Sequence, residues 1–436
     1  MKTVILDGFA AEDATSRHIR TALLNQLASR NQDAQVFTLR ENRIGNCAGD
    51  FFCWLRSPGV CNTDDDNRVI AAAIAGAGLL IYLTPVVFGG YSATLKKAVD
   101  HQIQNILPFF TVLKGETHHA KRYDRYADFL VIGWQPAPNT GAESIFRNLV
   151  WRNSLNFYAP ASWCEIVTGD PAEETLAAQI ASALAAIAHR RALSGSVLPL
   201  MAGRAAQGSP PRRALALVGS PRGHQSTSHA IGHYLMQQLE ARGAQTEIAH
   251  VYPLLNNPQK TEALLAQIDA ADLTVLAFPI YVDSLPAPDI VLLERLAAHR
   301  NARSGQGGGL AALANCGFPE AHHAANALAV CAEFAAQAGF AWQGGLALGA
   351  GEGLVRGRPL NELDGRVLPL KNALILAAEA LAQGQPIPRE AQRLIDRPFI
   401  PAWLYRLFGA ASWRQQARRW GAQNDLKRKP YGRIDS

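Results

Sequence analysis

A short apolar run followed by a loop rich in glycine and hydroxyl residues, at positions 214–228, constrains the fold of this chain most. Residues 214–218 have the pattern of a buried β-strand, and the next helix is predicted to begin near Ser226. Backbone N–H groups and side-chain donors then converge at a helix N-terminus, where the helix dipole favours an anion. We call residues 219–228 the phosphate loop; its predicted donors are Ser220, Arg222, Ser226, Thr227 and Ser228.

Charge-assisted hydrogen bonds are worth roughly 1.5–3 kcal/mol each, so a handful of such donors would hold a monophosphate without a metal. The simpler alternative is a Ser-Pro turn followed by an ordinary helix N-cap.

Two later apolar runs end in comparable loops. Residues 273–279 lead into a loop that we call the ring loop, built on Pro279, Ile280, Tyr281 and Val282. Residues 310–315 lead into a third loop that contains Cys316, Gly317 and Phe318. In an open parallel sheet, ligands bind beyond the carboxyl ends of the strands, so the three loops are predicted to face one ligand. An anion-binding loop opposite Pro, Tyr and Phe side chains would suit a ligand that has a planar aromatic ring and a terminal phosphate, such as FMN.

These residues resemble the NADPH-dependent FMN reductases of the flavodoxin-like superfamily. The phosphate loop of that family is similar to Gly219-Ser220-Pro221-Arg222 with the cluster Ser226-Thr227-Ser228, and its other two loops resemble residues 279–282 and 316–320. The resemblance implies that the phosphate loop binds the FMN phosphate and that the other two loops flank the ring.

The same resemblance implies an enzyme in which FMN takes hydride from NAD(P)H and passes electrons to a small molecule. The expected acceptors are a quinone, a nitro or azo compound, or free flavin, and no residue is predicted to be an essential acid or base. The alternative is an FMN-binding electron carrier or partner-binding protein with little NAD(P)H activity. Family members are commonly homo-oligomers, which is the expectation for this chain.

A weaker copy of the pattern lies earlier in the chain, at residues 4–8, 79–91 and 129–134. Strands that alternate with helical segments at this spacing predict parallel sheets. The predicted fold is α/β, with two flavodoxin-like doubly wound parallel sheets in tandem and a basic helical C-terminal tail. We predict a first domain with a cysteine-containing insertion at residues 1–192, followed by a linker rich in Ala, Gly, Ser and Pro at residues 193–212. An FMN-binding domain is predicted at residues 213–385, and the tail covers residues 386–436.

The first copy offers a poorer phosphate site, because Asp7, Glu12 and Asp13 accompany its hydroxyl residues Thr15 and Ser16. One like-charge pair at ~5 Å and an effective dielectric near 20 costs about 3 kcal/mol, comparable to one good hydrogen bond. FMN is therefore predicted in the second copy, and flavin in both copies, or in the first alone, stays an alternative.

The insertion in the first copy carries Cys47, Cys53 and Cys61, and it too resembles the reductase family. Asp50 stands where many members have a second cysteine. Because an iron–sulfur cluster or a structural zinc site normally uses four ligands, no metal is predicted. The preferred interpretation is a cysteine-bearing loop near the flavin edge or at a subunit contact. The glycine-rich stretch 349–353 is not predicted to bind a dinucleotide, because Glu352 would face its phosphate.

Residues after 385 include eleven Lys and Arg against four Asp and Glu, which accounts for the whole excess of basic residues in the chain. This tail is predicted to pack its aromatic residues on the protein or a neighbouring subunit. Peripheral contact with an anionic membrane is the alternative, and no nucleic-acid motif is evident. Six scattered cysteines and no recognisable signal peptide predict a cytoplasmic protein.

Overall fold

A computed structural model of the chain describes residues 2–200, 203–303 and 307–432. Its internal contacts divide the chain into two compact units. Unit 1 is Met1–Ser196 with Arg406–Ser436, and unit 2 is Val197–Tyr405. The predicted tail therefore contributes residues to both units. Residues 201 and 202 of the predicted linker, and 433–436 of the tail, lie outside the described residues.

Unit 1 contains eight strands and six helices within its described residues before Ser196. The strands are β1 Thr3–Asp7, β2 Ala34–Thr38, β3 Leu79–Val87, β4 Gly90–Tyr91, β5 Ile106–Leu113, β6 Glu116–Lys121, β7 Asp128–Gln135 and β8 Ser162–Thr168. The helices are α1 Ala14–Ala28, α2 Phe52–Leu55, α3 Asn67–Ala75, α4 Ala93–Asp100, α5 Thr140–Asn156 and α6 Glu173–Ala188.

Unit 2 repeats the alternation. Its strands are β9 Arg213–Val218, β10 Gln245–His250, β11 Leu273–Pro279, β12 Gly309–Asn315 and β13 Ala341–Leu348. Its helices are α7 Thr227–Glu240, α8 Val251–Leu254, α9 Pro258–Ala270, α10 Ala287–Ala302, α11 Ala325–Gln337, α12 Gly351–Leu354, α13 Leu368–Ala382 and α14 Arg389–Ile395. The last helix, α15 Ala402–Arg418, contains the boundary between the units.

The main sheets of the two units have the same topology. Their strand orders are β2-β1-β3-β7-β8 and β10-β9-β11-β12-β13, and these neighbours are parallel. This is the 2-1-3-4-5 order of the flavodoxin-like fold, so the predicted tandem arrangement is confirmed. Unit 1 adds the short β4, antiparallel to β3, and a β5–β6 hairpin. Every residue of β1 and of β12 is buried, as expected for parallel strands covered on both faces.

The duplication extends to single backbone contacts. Gly8 N donates to Leu83 O at 2.8 Å after β1, and Gly219 N donates to Ala277 O at 2.9 Å after β9. A Cβ on either glycine would collide with the third residue of the helix that comes after the neighbouring strand β3 or β11, namely Leu95 of α4 or Asp289 of α10. Both first loops therefore need glycine where the strand passes under that helix.

The tail packs partly on unit 1. Trp413 lies edge-on to Phe51 and Trp54, with ring centroids 5.3 and 5.4 Å away, and Trp420 lies edge-on to Phe52 at 5.3 Å. Other apolar side chains of α15 are exposed, namely Trp403, Leu407 and Phe408. Among the described residues, no helix is both long and apolar enough to span a membrane.

Candidate functional site

The phosphate loop follows β9 and ends in the cap of α7. A short 3-10 helix covers Gly223–Gln225, and Ser226 is the N-cap, its Oγ accepting from His229 N at 3.0 Å. Ser220, Ser226, Thr227 and Ser228 are all buried. Ser228 Oγ has no hydrogen-bond partner within the described part of the chain, so this loop retains an unused polar group.

Arg222, the charged donor of the phosphate loop, forms an ion pair with a carboxylate of the same unit. Arg222 Nη1 donates to Glu352 Oε1 at 3.0 Å, and Arg222 Nη2 donates to Glu352 Oε2. Thr227 Oγ1 donates to Glu352 Oε2 at 3.3 Å. Hydrogen bonding to Glu352 raises the pKa of Arg222, so the guanidinium is charged. Two of the five predicted phosphate donors thus bind an oxyanion together.

Glu352 belongs to a segment that covers two of the predicted loops. In this cover segment, residues 349–358, a Cβ added to Gly357 would lie 2.1 Å from Gln225 O. A Cβ added to Gly349 would lie 2.2 Å from Pro319 O. The backbone of the cover segment therefore rests directly on the phosphate loop and on the third loop. The sequence interpretation excluded Glu352 from a dinucleotide site and missed its contact with Arg222.

The ring loop and the third loop are neighbours. Ile280 N donates to Asn315 O at 2.8 Å, which continues the pairing of β11 with β12. Pro279, Tyr281 and Val282 complete the ring loop; Tyr281 exchanges backbone hydrogen bonds with Ser284 across a tight turn. Since β9, β11 and β12 are adjacent and parallel, the structure brings the three predicted loops to one edge of the sheet.

A tail residue adds to the third loop. Tyr405 Oη donates to Gly317 O at 2.8 Å, and burial raises the pKa of Tyr405. Cys316 is buried, and its Sγ accepts from Phe318 N at 3.3 Å. Sequence reasoning did not find Tyr405, because 88 residues separate it from Gly317.

In the corresponding loop of unit 1, the acidic side chains are paired with arginines and backbone N–H groups of the same unit. Asp7 is fully buried and accepts from Arg20 Nη1 at 2.8 Å; Glu12 accepts from both Arg20 and Arg40. Asp13 Oδ1 caps α1 by accepting from Ser16 N at 2.8 Å. The carboxylates predicted to repel a phosphate are thus held in place by arginines and by the helix N-terminus.

The cysteine-bearing insertion contains a pair that the sequence did not reveal. Cys61 Sγ lies 3.6 Å from His101 Nδ1, and His101 Nε2 lies 3.0 Å from Gly45 O. Burial opposes charge on both groups, but the attraction within the pair, together with hydrogen bonds that involve Thr63 and Gly45, outweighs burial: the pKa of Cys61 is lowered and the pKa of His101 is raised. Burial, with neighbouring negative charges, has the opposite effect on Cys47 and raises its pKa to about 12. Asp50 is exposed, and its Oδ1 accepts from Phe52 N at 3.0 Å.

Cys61 is expected to react with iodoacetamide near pH 7 faster than Cys47 and Cys53. Only the thiolate is nucleophilic, and a lowered pKa gives Cys61 the larger thiolate fraction. Mass spectrometry of alkylated peptides between pH 6 and 9 measures this. His101→Ala should move the Cys61 profile to higher pH, and an unchanged profile would contradict the pairing.

A match to a protein-family model agrees with the two-unit architecture. The model of the NADPH-dependent FMN reductase family matches residues 1–115 and 212–338, together more than half of the chain. No curated protein matches the chain. Among solved structures, an NAD(P)H:quinone oxidoreductase from Methanothermobacter marburgensis is 16% identical over 42% of this chain and 96% of that chain, with a TM-score of 0.35. An FMN-dependent NADH-azoreductase from Bacillus anthracis, solved with FMN, is 14% identical over 44% of this chain and 99% of that chain, with a TM-score of 0.32.

The family model thus matches the beginning of both units, and both units have the flavodoxin-like strand order. The chain belongs to the NADPH-dependent FMN reductase family, as an NAD(P)H-dependent oxidoreductase with FMN as its cofactor and two flavodoxin-like units in tandem.

Proposed function

We propose that unit 2 holds FMN, with its phosphate on the phosphate loop and its ring beside the ring loop and the third loop. The observation that carries this proposal is that Arg222 and Thr227 both donate hydrogen bonds to the Glu352 carboxylate. A guanidinium binds carboxylate and phosphate in the same two-pronged geometry. Ser228 Oγ supplies a further buried donor that the carboxylate does not use. The residues present therefore fit a phosphate.

FMN and Glu352 compete for the same donors in this proposal. The side chains of Arg222 and Glu352 are 34% and 41% exposed, and ion pairs at such exposure contribute little stability, about 0–1 kcal/mol. A phosphate monoester carries a charge of about −1.5 to −2 and offers three acceptor oxygens. Exchange of the carboxylate for phosphate is therefore favourable, and the cover segment must release Glu352 when FMN binds.

The ring loop is pre-formed in a strained shape. Val282 and Asp283 have φ of 49° and 59°, and such a conformation costs a β-branched residue roughly 1–2 kcal/mol. Unit 1 has the same turn at Phe88 and Gly89, with φ of 52° and 79°. Strained backbone of this kind clusters at ligand sites, which supports a role for residues 279–283 beside the ring.

In this proposal, the residues of unit 2 hold FMN in place and leave space beside its ring. Bound FMN supplies the hydride and electron chemistry. Arg222 and the buried hydroxyls would fix one end of the cofactor, and the exposed Gly317 leaves open space where a Cβ would stand. Buried His323 lies between Asp283 and Glu320, at 3.9 and 3.6 Å, and so joins the ring loop to the third loop.

We further propose that the acceptor is a quinone, a nitro or azo compound, or free flavin. Purified protein loaded with FMN is expected to oxidise NADPH only when such an acceptor is present, with the parallel-line kinetics of a ping-pong cycle. Steady-state absorbance at 340 nm with a water-soluble quinone measures this, and protein stripped of FMN is the control. Bound flavin that dithionite reduces but NADPH does not would contradict the proposal and favour the electron-carrier alternative.

A further inference from the structure

Three histidines meet at the phosphate loop of unit 2, one of them within the loop itself, and their side chains have no role in the proposed FMN site. His224 lies in the 3-10 helix Gly223–Gln225, His229 lies in the first turn of α7, and His250 is the last residue of β10. In the parallel pairing of β10 with β9, His250 lies opposite Val218, where the phosphate loop begins. Three separate elements therefore bring one imidazole each to the same end of the sheet.

The ring nitrogens are close enough to share one ion. One nitrogen of each histidine lies within 4.8 Å of the other two. The ring centroid of His224 is 4.2 Å from that of His250 and 4.7 Å from that of His229. Tetrahedral coordination at about 2.0–2.1 Å places ligand nitrogens roughly 3.4 Å apart. Small side-chain rotations would reach that geometry, and His224 is exposed and can make them.

Hydrogen bonding does not account for the cluster. Both ring nitrogens of His250 and Nδ1 of His229 are buried and have no hydrogen-bond partner within the described residues. Buried polar atoms in native proteins nearly always have a partner. A neutral imidazole also carries one lone pair that needs a donor or a metal. One ion bound between the three rings would use a lone pair from each of them.

We propose that His224, His229 and His250 form a binding site for one divalent first-row transition-metal ion, represented by Zn²⁺. Imidazole nitrogen suits Zn²⁺, Ni²⁺ and Cu²⁺, and Mg²⁺ or Ca²⁺ would instead need oxygen ligands. Three protein ligands leave a fourth position for water or an anion. The site does not depend on the proposed function, because none of the three side chains is among the proposed FMN contacts.

Titration of the full chain with Zn²⁺ against a chromogenic zinc indicator tests the proposal. One Zn²⁺ per chain is expected. The single variants His224→Ala, His229→Ala and His250→Ala should each lose affinity by at least the roughly 10–100-fold that loss of an outer-shell partner costs. His189→Ala, which changes an exposed histidine of unit 1, is the matched control and should bind Zn²⁺ like the wild type. Undiminished binding in the three variants, or no binding by the wild type, would overturn the proposal.

A second measurement needs no variant and so does not depend on whether a variant folds. In the wild-type chain, Zn²⁺ should protect His224 from modification by diethyl pyrocarbonate and leave His189 reactive, as read by mass spectrometry. Equal modification of His224 with and without Zn²⁺ would count against the site. Measuring bound FMN in each sample separates the two proposals, since zinc binding in a chain that holds no FMN would contradict only the proposed function.

Discussion

Arg222→Glu is expected to weaken FMN binding by about 10²–10⁴-fold. The change removes two charge-assisted hydrogen bonds worth roughly 1.5–3 kcal/mol each, and every 1.4 kcal/mol corresponds to a factor of ten in affinity. Glu352→Gln should act in the opposite direction and strengthen binding, because the competing carboxylate of the cover segment loses its charge. The two variants together test the exchange of carboxylate for phosphate at one set of donors.

Fluorescence titration of FMN into flavin-free protein measures both effects. Arg242→Glu is the matched control, because Arg242 also pairs with a carboxylate of unit 2, Glu379, at 3.0 Å, but lies after α7 on the surface. It should bind FMN like the wild type. If Arg222→Glu keeps wild-type affinity, the phosphate is bound elsewhere, and loss of binding in Thr15→Val would then place it in unit 1.

Lys96→Met is expected to lower the free energy of unfolding by about 3–5 kcal/mol. Lys96 Nζ forms an ion pair with Asp100 one turn later on α4, and both side chains are only 1% exposed. Methionine fills a similar volume but removes the cation, so the Asp100 carboxylate keeps its desolvation cost and loses this attraction. The charge of a buried pair matters chiefly when one partner is taken away.

The double variant Lys96→Met with Asp100→Leu is the control that isolates charge from packing. Removing both charges should recover much of the lost stability, since replacing a whole buried pair by apolar residues is often close to neutral. Urea denaturation followed by circular dichroism, with the transition of unit 1 analysed separately, measures the free energies. A double variant less stable than Lys96→Met would show that packing dominates.

The sequence predicted the framework of both units because the framework depends on local patterns. A strand buried on both faces reads as a continuous apolar run, so residues 214–218, 273–279 and 310–315 correspond to β9, β11 and β12. Ser226 predicted the start of α7, which begins at Thr227, because a serine hydroxyl caps free N–H groups at a helix N-terminus. The resemblance to the FMN reductases rested on loops that follow such strands, and the family match confirms it.

The tertiary structure alone decided which groups face one another around those loops. Glu352 meets Arg222 across 130 residues of sequence, Cys61 meets His101 across 40, and His250 joins His224 and His229 from a different strand. These contacts require the cover segment and other loops to adopt specific backbone shapes, including positive φ at Ala350 and Gly357. Apolar periodicity and cap residues are read within a few positions along the chain, whereas a charge or a ring nitrogen finds its partner only after the sheets have formed and the loops have closed over their edges.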